Sequence, residues 1–184
     1  MYFDLIERIK QDTKNRDSFK KLFTEKEIPS KTTLLREGEI SGNIYFIIKG
    51  CLRLWYNDDG KDVTFQFFFE NKPVASIESF LYKKPSRFSL ESIEPSKLVL
   101  LSRAGFEILG NQYPDLKEGF HKIMLSRLEN YSNLFLSRIK DNPRKRYEEL
   151  VKAHPEIIQR IPQHYIASYL GITPISLSRI RNKK

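Results

Sequence analysis

The C-terminal segment QHYIASYLGITPISLSRIRN, residues 163–182, most constrains the fold of this chain. Aliphatic residues recur at helical spacing on both sides of Gly171, and the small residue Ala167 lies one turn before it. A glycine after a short helix can adopt the left-handed conformation that ends the helix. Thr173 can cap a second helix, and Pro174 suits its first position. The pattern predicts a helix-turn-helix with one shared core of Ile166, Leu170, Ile172, Leu177 and Ile180.

The second predicted helix, PISLSRIRN, contains two arginines and no acidic residue. In a helix-turn-helix, the N-terminal residues of this helix meet base edges in the major groove of DNA. Arg179 is the best candidate base reader because a guanidinium can bind guanine bidentately. Gln163 and Thr173 lie near helix starts, where phosphate contacts are expected. The predicted DNA-binding residues are Gln163, Thr173, Pro174, Ile175, Ser176, Ser178, Arg179, Arg181 and Lys183.

Positive charge is concentrated at the same end of the chain. The net charge is +9, and residues 141–184 contain nine Lys or Arg against four acidic residues. Such a balance favours polyanionic partners, although it also serves solubility. No apolar run approaches the roughly 18 residues of a membrane span, and the charged N-terminal stretch does not suit a signal peptide. The single cysteine, Cys51, suits a reducing compartment. We therefore expect a cytoplasmic protein that binds double-stranded DNA and no membrane.

Residues 32–102 have the composition of a β domain. Short runs of β-branched, aromatic and aliphatic residues alternate with turn residues, and Asp59-Gly60 is a strong hairpin signal. Several short strands at this spacing predict a compact jelly roll. The absence of a long helical pattern between them argues against a parallel α/β sheet. Residues 1–28, by contrast, show the apolar spacing of helices, which Pro29 would end.

Helical periodicity returns between about residues 113 and 140. The apolar surface is wide, so the helix either packs wholly on its own domain or shares a face with a second copy. Asn142-Pro143 then suits a new helix start. The predicted divisions are 1–112 (N-terminal helices and β-roll), 113–141 (long helix) and 142–184 (helix-turn-helix domain). The predicted dimer-helix residues are Phe120, Ile123, Met124, Leu128, Tyr131 and Phe135.

The glycines Gly38 and Gly50, the IYFIIKG run, the long helix and the C-terminal module together resemble the cyclic AMP receptor protein and fumarate–nitrate regulator (Crp/Fnr) family of bacterial transcription factors. The phrases ESFL, PSRFS and IASYLGIT resemble short members from Bacteroidetes-type bacteria. The resemblance implies an α+β chain with an N-terminal double-stranded β-helix (a jelly roll of the cyclic-nucleotide-binding type), a long dimerisation helix and a C-terminal helix-turn-helix domain. It also implies a homodimer, an effector-binding domain that governs DNA binding, and RNA polymerase as a partner.

Residues 74–89 depart from the effector pocket of that family. The family holds a cyclic nucleotide with a glycine, a glutamate, an arginine and a small hydroxyl residue. Arg87 matches the arginine, but Ser76 and Ile77 replace the first two and Phe88 replaces the hydroxyl residue. Glu78 is one residue out of register, which on a strand would turn it to the other face. We expect no response to cyclic AMP and a pocket that holds another small molecule or its own side chains. Its predicted residues are Ser76, Ile77, Glu78, Arg87, Phe88, Tyr131 and Ser132.

A second departure concerns base recognition. Where the family commonly places a glutamate early in the recognition helix, this chain has Ile175. Isoleucine could contact a thymine methyl group but cannot accept a hydrogen bond from cytosine. The operator is therefore expected to differ from the family consensus.

Other chemistries lack the residues that they need. One cysteine cannot hold an iron–sulfur cluster. Haem sensing, which three histidines leave open, is disfavoured because His121, His154 and His164 are each expected to be ordinary surface residues on predicted helices. No histidine lies between residues 30 and 120, where a jelly-roll metalloenzyme would place its ligands. We expect no metal, no cofactor and no enzymatic activity. The main alternative is a small-ligand sensor whose C-terminal helices contact proteins rather than DNA.

Overall fold

The computed structural model describes residue 11 and residues 16–182. Within that part of the chain, the strands are β1 Phe23–Ile28, β2 Thr33–Leu35, β3 Asn43–Lys49, β4 Leu52–Asp58, β5 Lys61–Phe68, β6 Pro73–Val74, β7 Ser89–Ser92 and β8 Ser96–Ser102. The helices are α1 Arg16–Lys20, α2 Ile77–Tyr82, α3 Arg103–Gln112, α4 Pro114–Lys140, α5 Pro143–Ala153, α6 Pro155–Arg160, α7 Gln163–Leu170 and α8 Pro174–Asn182. The predicted fold class, an α+β chain with a jelly roll, a long helix and C-terminal helices, is confirmed.

The strands form two four-stranded sheets whose order departs from chain order. One sheet runs β1-β8-β3-β6 and the other β2-β7-β4-β5. The registered strand pairs are antiparallel, as in β1 with β8 and β4 with β7. Neighbours that are distant in sequence arise because the chain crosses repeatedly between sheets, which is the topology of a jelly roll. The predicted strand-rich region thus folds as expected.

The core of the β-roll comes from both sheets. Leu52 and Leu90 of one sheet and Leu98 of the other are fully buried. All four residues of β7 are buried, so this strand has no solvent-facing side. Burial of both faces explains why polar residues in β7 need partners inside the protein.

A tight hairpin connects β4 and β5 at the predicted position. Its two central residues, Asp59 and Gly60, both have positive φ, 53° and 85°. This is the conformation of a type I′ turn, whose twist matches that of the flanking strands. The hairpin prediction is confirmed.

The chain forms two compact units. Of the described residues, the first unit contains those up to 56 together with 67–120, and the second contains 57–66 together with 121–182. The hairpin tip therefore groups with the C-terminal helices. The proposed divisions at 112/113 and 141/142 stay predictions.

One part of the helical prediction for residues 1–28 is wrong. Phe23–Ile28 is an edge strand that pairs over its whole length with β8, from Phe23 opposite Leu101 to Ile28 opposite Ser96. This ladder joins residues that are distant in sequence, so it is invisible to local periodicity. Helix is present at Arg16–Lys20, and residues 1–10 and 12–15 lie outside the described residues.

Candidate nucleic-acid interface

Helices α7 and α8 share the predicted aliphatic core. Ile166, Leu170 and Leu177 are buried, and Ile172 and Ile180 are partly buried. Ala167, which lies between Ile166 and Leu170 in the sequence, is completely buried. This burial is expected for a small residue at a point where two helices approach closely. The core pattern read from the sequence is confirmed.

The turn between the two helices has a defined geometry. Gly171 has φ +67°, in the left-handed region that glycine adopts without steric cost. Its N–H donates to the carbonyl of Ser168 at 3.0 Å, and the N–H of Ile172 donates to the carbonyl of Ala167 at 3.0 Å. These two bonds form a Schellman motif, which satisfies carbonyls at the end of α7. The turn therefore sets the direction in which α8 leaves.

The start of α8 is capped by Thr173, as predicted. The Thr173 hydroxyl oxygen accepts from the backbone N–H of Ser176 at 3.1 Å and lies 2.9 Å from the Ser176 hydroxyl. Pro174 occupies the first helical position. Two hydroxyl groups predicted to contact DNA are thus also used to stabilise the helix start.

The surface of α8 is polar, basic and accessible. Most of the predicted DNA-binding residues are exposed, namely Gln163, Thr173, Pro174, Ile175, Ser178, Arg179 and Arg181, whereas Ser176 is partly buried. Lys183 lies outside the described residues. No acidic residue occurs in Pro174–Asn182, and no described ion pair engages Arg179 or Arg181. Both guanidinium groups are therefore available to an anionic partner.

Two arginines that the sequence analysis did not single out support α7. Nη2 of Arg138 on α4 donates to the carbonyl of Tyr169 at 2.8 Å. Nη2 of Arg146 on α5 donates to the carbonyl of Leu170 at 3.1 Å, and its Nη1 donates to the carbonyl of Asp141 at 2.7 Å. Cations at the C-terminal end of a helix offset its partial negative charge. No local sequence pattern around either arginine signals this role.

The junction before α5 is also reinforced by polar contacts. The Asn142 side chain accepts from the N–H of Lys145 at 3.0 Å and Pro143 follows it, so the predicted N-cap is confirmed. Nζ of Lys145 donates to the Asp141 carboxylate at 2.7 Å. This hydrogen bond, with the charge of Lys145, lowers the pKa of Asp141, and the same contact raises the pKa of Lys145.

The predicted effector residues of the first unit lie around the short helix α2. Ile77 and Glu78 are its first residues, so the expectation that Glu78 would lie on a strand and turn to its other face is wrong. Because the chain coils here, Glu78 reaches Arg87, and the two side chains form an ion pair at 2.5 Å. The Arg87 side chain is 77% exposed. Arg87, which matches the arginine of the family pocket in sequence, is thus a surface residue that is paired with the Glu78 carboxylate.

Ser76 and Phe88 are engaged by other protein groups. The buried Ser76 hydroxyl accepts from the Ser86 hydroxyl at 2.8 Å. The Phe88 ring packs edge-on against Tyr56, with 6.3 Å between ring centroids. An apolar ring therefore occupies the position at which the family places a hydroxyl.

Tyr131 and Ser132 belong to the second unit. The Tyr131 ring lies against Phe65 at 5.0 Å between centroids, and burial raises the pKa of Tyr131. The Ser132 hydroxyl donates to the carbonyl of Leu128 in the same helix at 2.9 Å.

A buried ion pair inside the β-roll was missed by the sequence analysis. Arg53 on β4 lies directly opposite Glu91 on β7, with 2.6 Å between Nε and Oε1, and Arg53 is 1% exposed. Its guanidinium carbon lies 4.8 Å from the centroid of the Trp55 ring, and the buried Trp55 Nε1 has no hydrogen-bond partner. The sequence did contain one sign of this pair, because a charged residue interrupts each of two runs that are otherwise suited to burial, in β4 and β7.

The predicted dimer-helix residues do not form one continuous exposed stripe. Phe120 is buried and packs against Phe106 at 5.2 Å, and Tyr131 packs against Phe65. Ile123 and Met124 are partly buried. The strongly exposed apolar residues of α4 are Leu125, Leu128, Phe135, Leu136 and Ile139.

A comparison with family models classifies the β-roll. Residues 25–113 match the cyclic nucleotide-binding domain family. The match covers just under half of the chain, from β1 to the end of α3, and it therefore classifies this domain alone. No protein with a curated function matches the sequence significantly.

Several solved structures of bacterial regulators share the fold. The c-di-GMP-responsive global regulator CLP of Xanthomonas campestris has a TM-score of 0.72 at 18% identity, over 94% of this chain and 91% of that chain. FixK2 from Bradyrhizobium japonicum has a TM-score of 0.74 at 16% identity, over 88% and 83%. A transcriptional regulator of the Crp/Fnr family from Eubacterium rectale has a TM-score of 0.74 at 14% identity, over 92% and 81%. These likenesses establish the fold, and the narrower resemblance to Bacteroidetes-type members stays a prediction.

Two further observations concern metals and membranes. In residues 11 and 16–182, no three His, Cys, Asp or Glu side chains cluster closely enough to hold a metal ion. No helix in the same part of the chain has both the length and the apolar character needed to cross a bilayer.

Proposed function

We propose that this chain is a homodimeric, sequence-specific DNA-binding transcription regulator whose cyclic nucleotide-binding-like domain does not respond to cyclic AMP. The observation that carries the proposal is the surface of α8. This helix contains no acidic residue, exposes Arg179 and Arg181, and follows the defined turn at Gly171. A helix of this kind fits the major groove, where its first turns reach base edges. The shared fold with bacterial regulators supports the same function. Such a regulator would act in the cytoplasm and contact RNA polymerase there, and it would not be an enzyme.

Selection of bound duplexes from random DNA with the full-length protein tests DNA binding. We expect one enriched motif and a strong dependence on salt, because a dimer that neutralises some 6–10 phosphates loses roughly 10³–10⁵ in affinity between 50 and 200 mM salt. Arg179→Ala should weaken binding by about 1–3 kcal/mol and relax preference at one base pair. No enrichment at any salt concentration would instead favour a ligand sensor whose C-terminal helices contact proteins.

Dimerisation would use the exposed apolar face of α4. Leu128 and Phe135 are 63% and 65% exposed, and residues seven apart lie on the same face of a helix, a spacing that suits packing against a second copy. Two recognition helices in a dimer would enter major grooves about 34 Å apart. We expect Leu128→Glu to yield monomers in sedimentation analysis and to abolish tight operator binding. Ile40→Glu is the matched control, because Ile40 is also exposed, 51%, but lies outside α4. A Leu128→Glu protein that remains dimeric would contradict this interface.

The lack of response to cyclic AMP follows from the residues around α2. The Arg87 charge is balanced by Glu78, and Phe88 places an apolar ring where a phosphate would need a hydroxyl partner. We expect millimolar cyclic AMP to leave operator affinity unchanged within twofold and to give no binding heat. Glu78→Gln tests the cause, since it frees Arg87 from its ion pair. Tight binding of cyclic AMP by the unaltered protein would exclude this part of the proposal.

A further inference from the structure

One large apolar side chain is exposed on α8, that of Ile175. Ile175 is 66% exposed at the first turn of the helix, whereas Leu177 supplies the core contact and is fully buried. Ile175 therefore contributes little to the core of the helix-turn-helix. The exposed Arg179 lies on the same face, because residues four apart in a helix lie above one another.

The hydrogen bonds that cap α8 engage two of the side chains predicted to contact DNA, so fewer side chains remain free to recognise bases. The Thr173 hydroxyl oxygen accepts from the Ser176 N–H and lies within hydrogen-bond distance of the Ser176 hydroxyl. These two hydroxyls are therefore already used at the helix start. The exposed side chains left on the first two turns include Ile175, Ser178 and Arg179.

Isoleucine can distinguish base pairs in only one way. It has no hydrogen-bond donor or acceptor, so it cannot recognise the exocyclic groups of guanine, cytosine or adenine. The C5-methyl group of thymine is the apolar feature of the major groove. An exposed isoleucine beside a base-reading arginine is thus suited to thymine.

Building on the proposed function, we propose that Ile175 is a specificity-determining residue that contacts the C5-methyl group of a thymine, next to a guanine read by Arg179. Four residues of helix span about 6 Å, and successive base pairs are about 3.4 Å apart. The thymine and the guanine therefore lie within about two base pairs of each other in each half-site.

The experiment begins with the duplex motif selected by the full-length protein. Each thymine of the motif is replaced in turn by deoxyuridine, which removes the methyl group and nothing else. At one thymine, within two base pairs of the guanine whose preference Arg179→Ala relaxes, the dissociation constant should rise about fourfold, the value expected for burial of one methyl group. Thymines outside the motif serve as the DNA control.

Matched variants assign the effect to Ile175. Ile175→Ala should bind the thymine and deoxyuridine duplexes equally, whereas Ile175→Val should retain most of the discrimination. Ile40→Ala, at an exposed isoleucine outside the helix-turn-helix, should discriminate as the unaltered protein does. Both positions are exposed, so circular dichroism should show unchanged folding of all three variants.

The possible failures are distinguishable. If no motif is selected, the proposed function itself fails. If a motif is selected but deoxyuridine is accepted at every position, or if Ile175→Ala keeps the discrimination, this inference is overturned and the proposed function stands.

Discussion

The hydroxyl of Ser168 on α7 accepts a hydrogen bond from the backbone N–H of Thr64 on β5 at 2.8 Å. The same hydroxyl donates to the carbonyl of Asp62 at 2.9 Å. Both contacts lie within the second unit, where the hairpin tip groups with the C-terminal helices. One side chain thus joins the first helix of the helix-turn-helix to a strand that is about a hundred residues earlier in the chain. No local sequence pattern signals this link.

Ser168→Ala should loosen the hairpin tip. The substitution removes both hydrogen bonds, and the loss of an acceptor for a buried N–H costs about 1–3 kcal/mol. We expect the free energy of unfolding to fall by about that amount in urea titrations, and the Thr64 amide to exchange with solvent faster. Ser178→Ala is the control, because Ser178 is exposed on α8. Unchanged exchange of the Thr64 amide in Ser168→Ala would contradict the contact.

The buried ion pair should be far more sensitive to substitution than the exposed one. Glu91→Gln leaves the Arg53 charge buried without its carboxylate, and breaking such a pair typically costs about 3–5 kcal/mol. Glu78→Gln breaks the exposed pair with Arg87 and should cost about 1 kcal/mol or less. Thermal and urea unfolding of the two variants give the comparison. Equal destabilisation would show that burial does not govern the strength of these pairs.

Local patterns predicted the parts of the fold whose contacts are local. The core of α7 and α8, the Gly171 turn and the Thr173 cap involve residues within a few positions of one another, so their spacing carries the information. The Asp59-Gly60 hairpin is local for the same reason. The roles of Arg179 and Ile175 in DNA binding stay predictions, although both side chains are exposed as such roles require.

Long-range pairing accounts for what the sequence did not reveal. The strand Phe23–Ile28 forms because β8 supplies a complete antiparallel partner. Glu78 meets Arg87 because residues 77–82 form a helix. The strand-like pattern of the neighbouring segments predicts a strand there. Arg53 and Glu91 become partners through the β4–β7 register. In each case the contact joins residues from separate segments of the chain, and one local pattern cannot contain it.

Tyr169→Phe should make the second unit less sensitive to alkali. Burial raises the pKa of Tyr169 to about 12, the nearby Arg138 charge partly opposes this rise, and Tyr131 adds to it. Because the pKa is higher in the folded state, this group stabilises the fold fully below its unfolded pKa of about 10 and loses that contribution as the pH rises towards 12. The contribution amounts to roughly 2–3 kcal/mol.

Urea unfolding between pH 8 and 12, with tyrosinate absorbance followed in parallel, measures this effect. The unaltered protein should lose stability above pH 10, and Tyr169→Phe should lose less. Some loss should remain, because burial also raises the pKa of Tyr131 and Tyr45. Identical pH dependence of the two proteins would contradict the assignment to Tyr169.

Gly50 should not tolerate a side chain. Its φ is +108°, and a Cβ atom added there would lie 2.8 Å from the Cα atom of Ser96. Because the obstacle is backbone, it cannot be relieved by a change of rotamer. We expect Gly50→Ala to lower the free energy of unfolding by about 2–4 kcal/mol, from backbone strain and overpacking combined. Gly42→Ala is the matched control, since no atom lies within 4 Å of a Cβ added at Gly42, and it should leave the stability nearly unchanged. Calorimetric unfolding of both variants decides the matter: a Gly50→Ala protein as stable as Gly42→Ala would mean that β8 can move away from the β3–β4 turn at little cost.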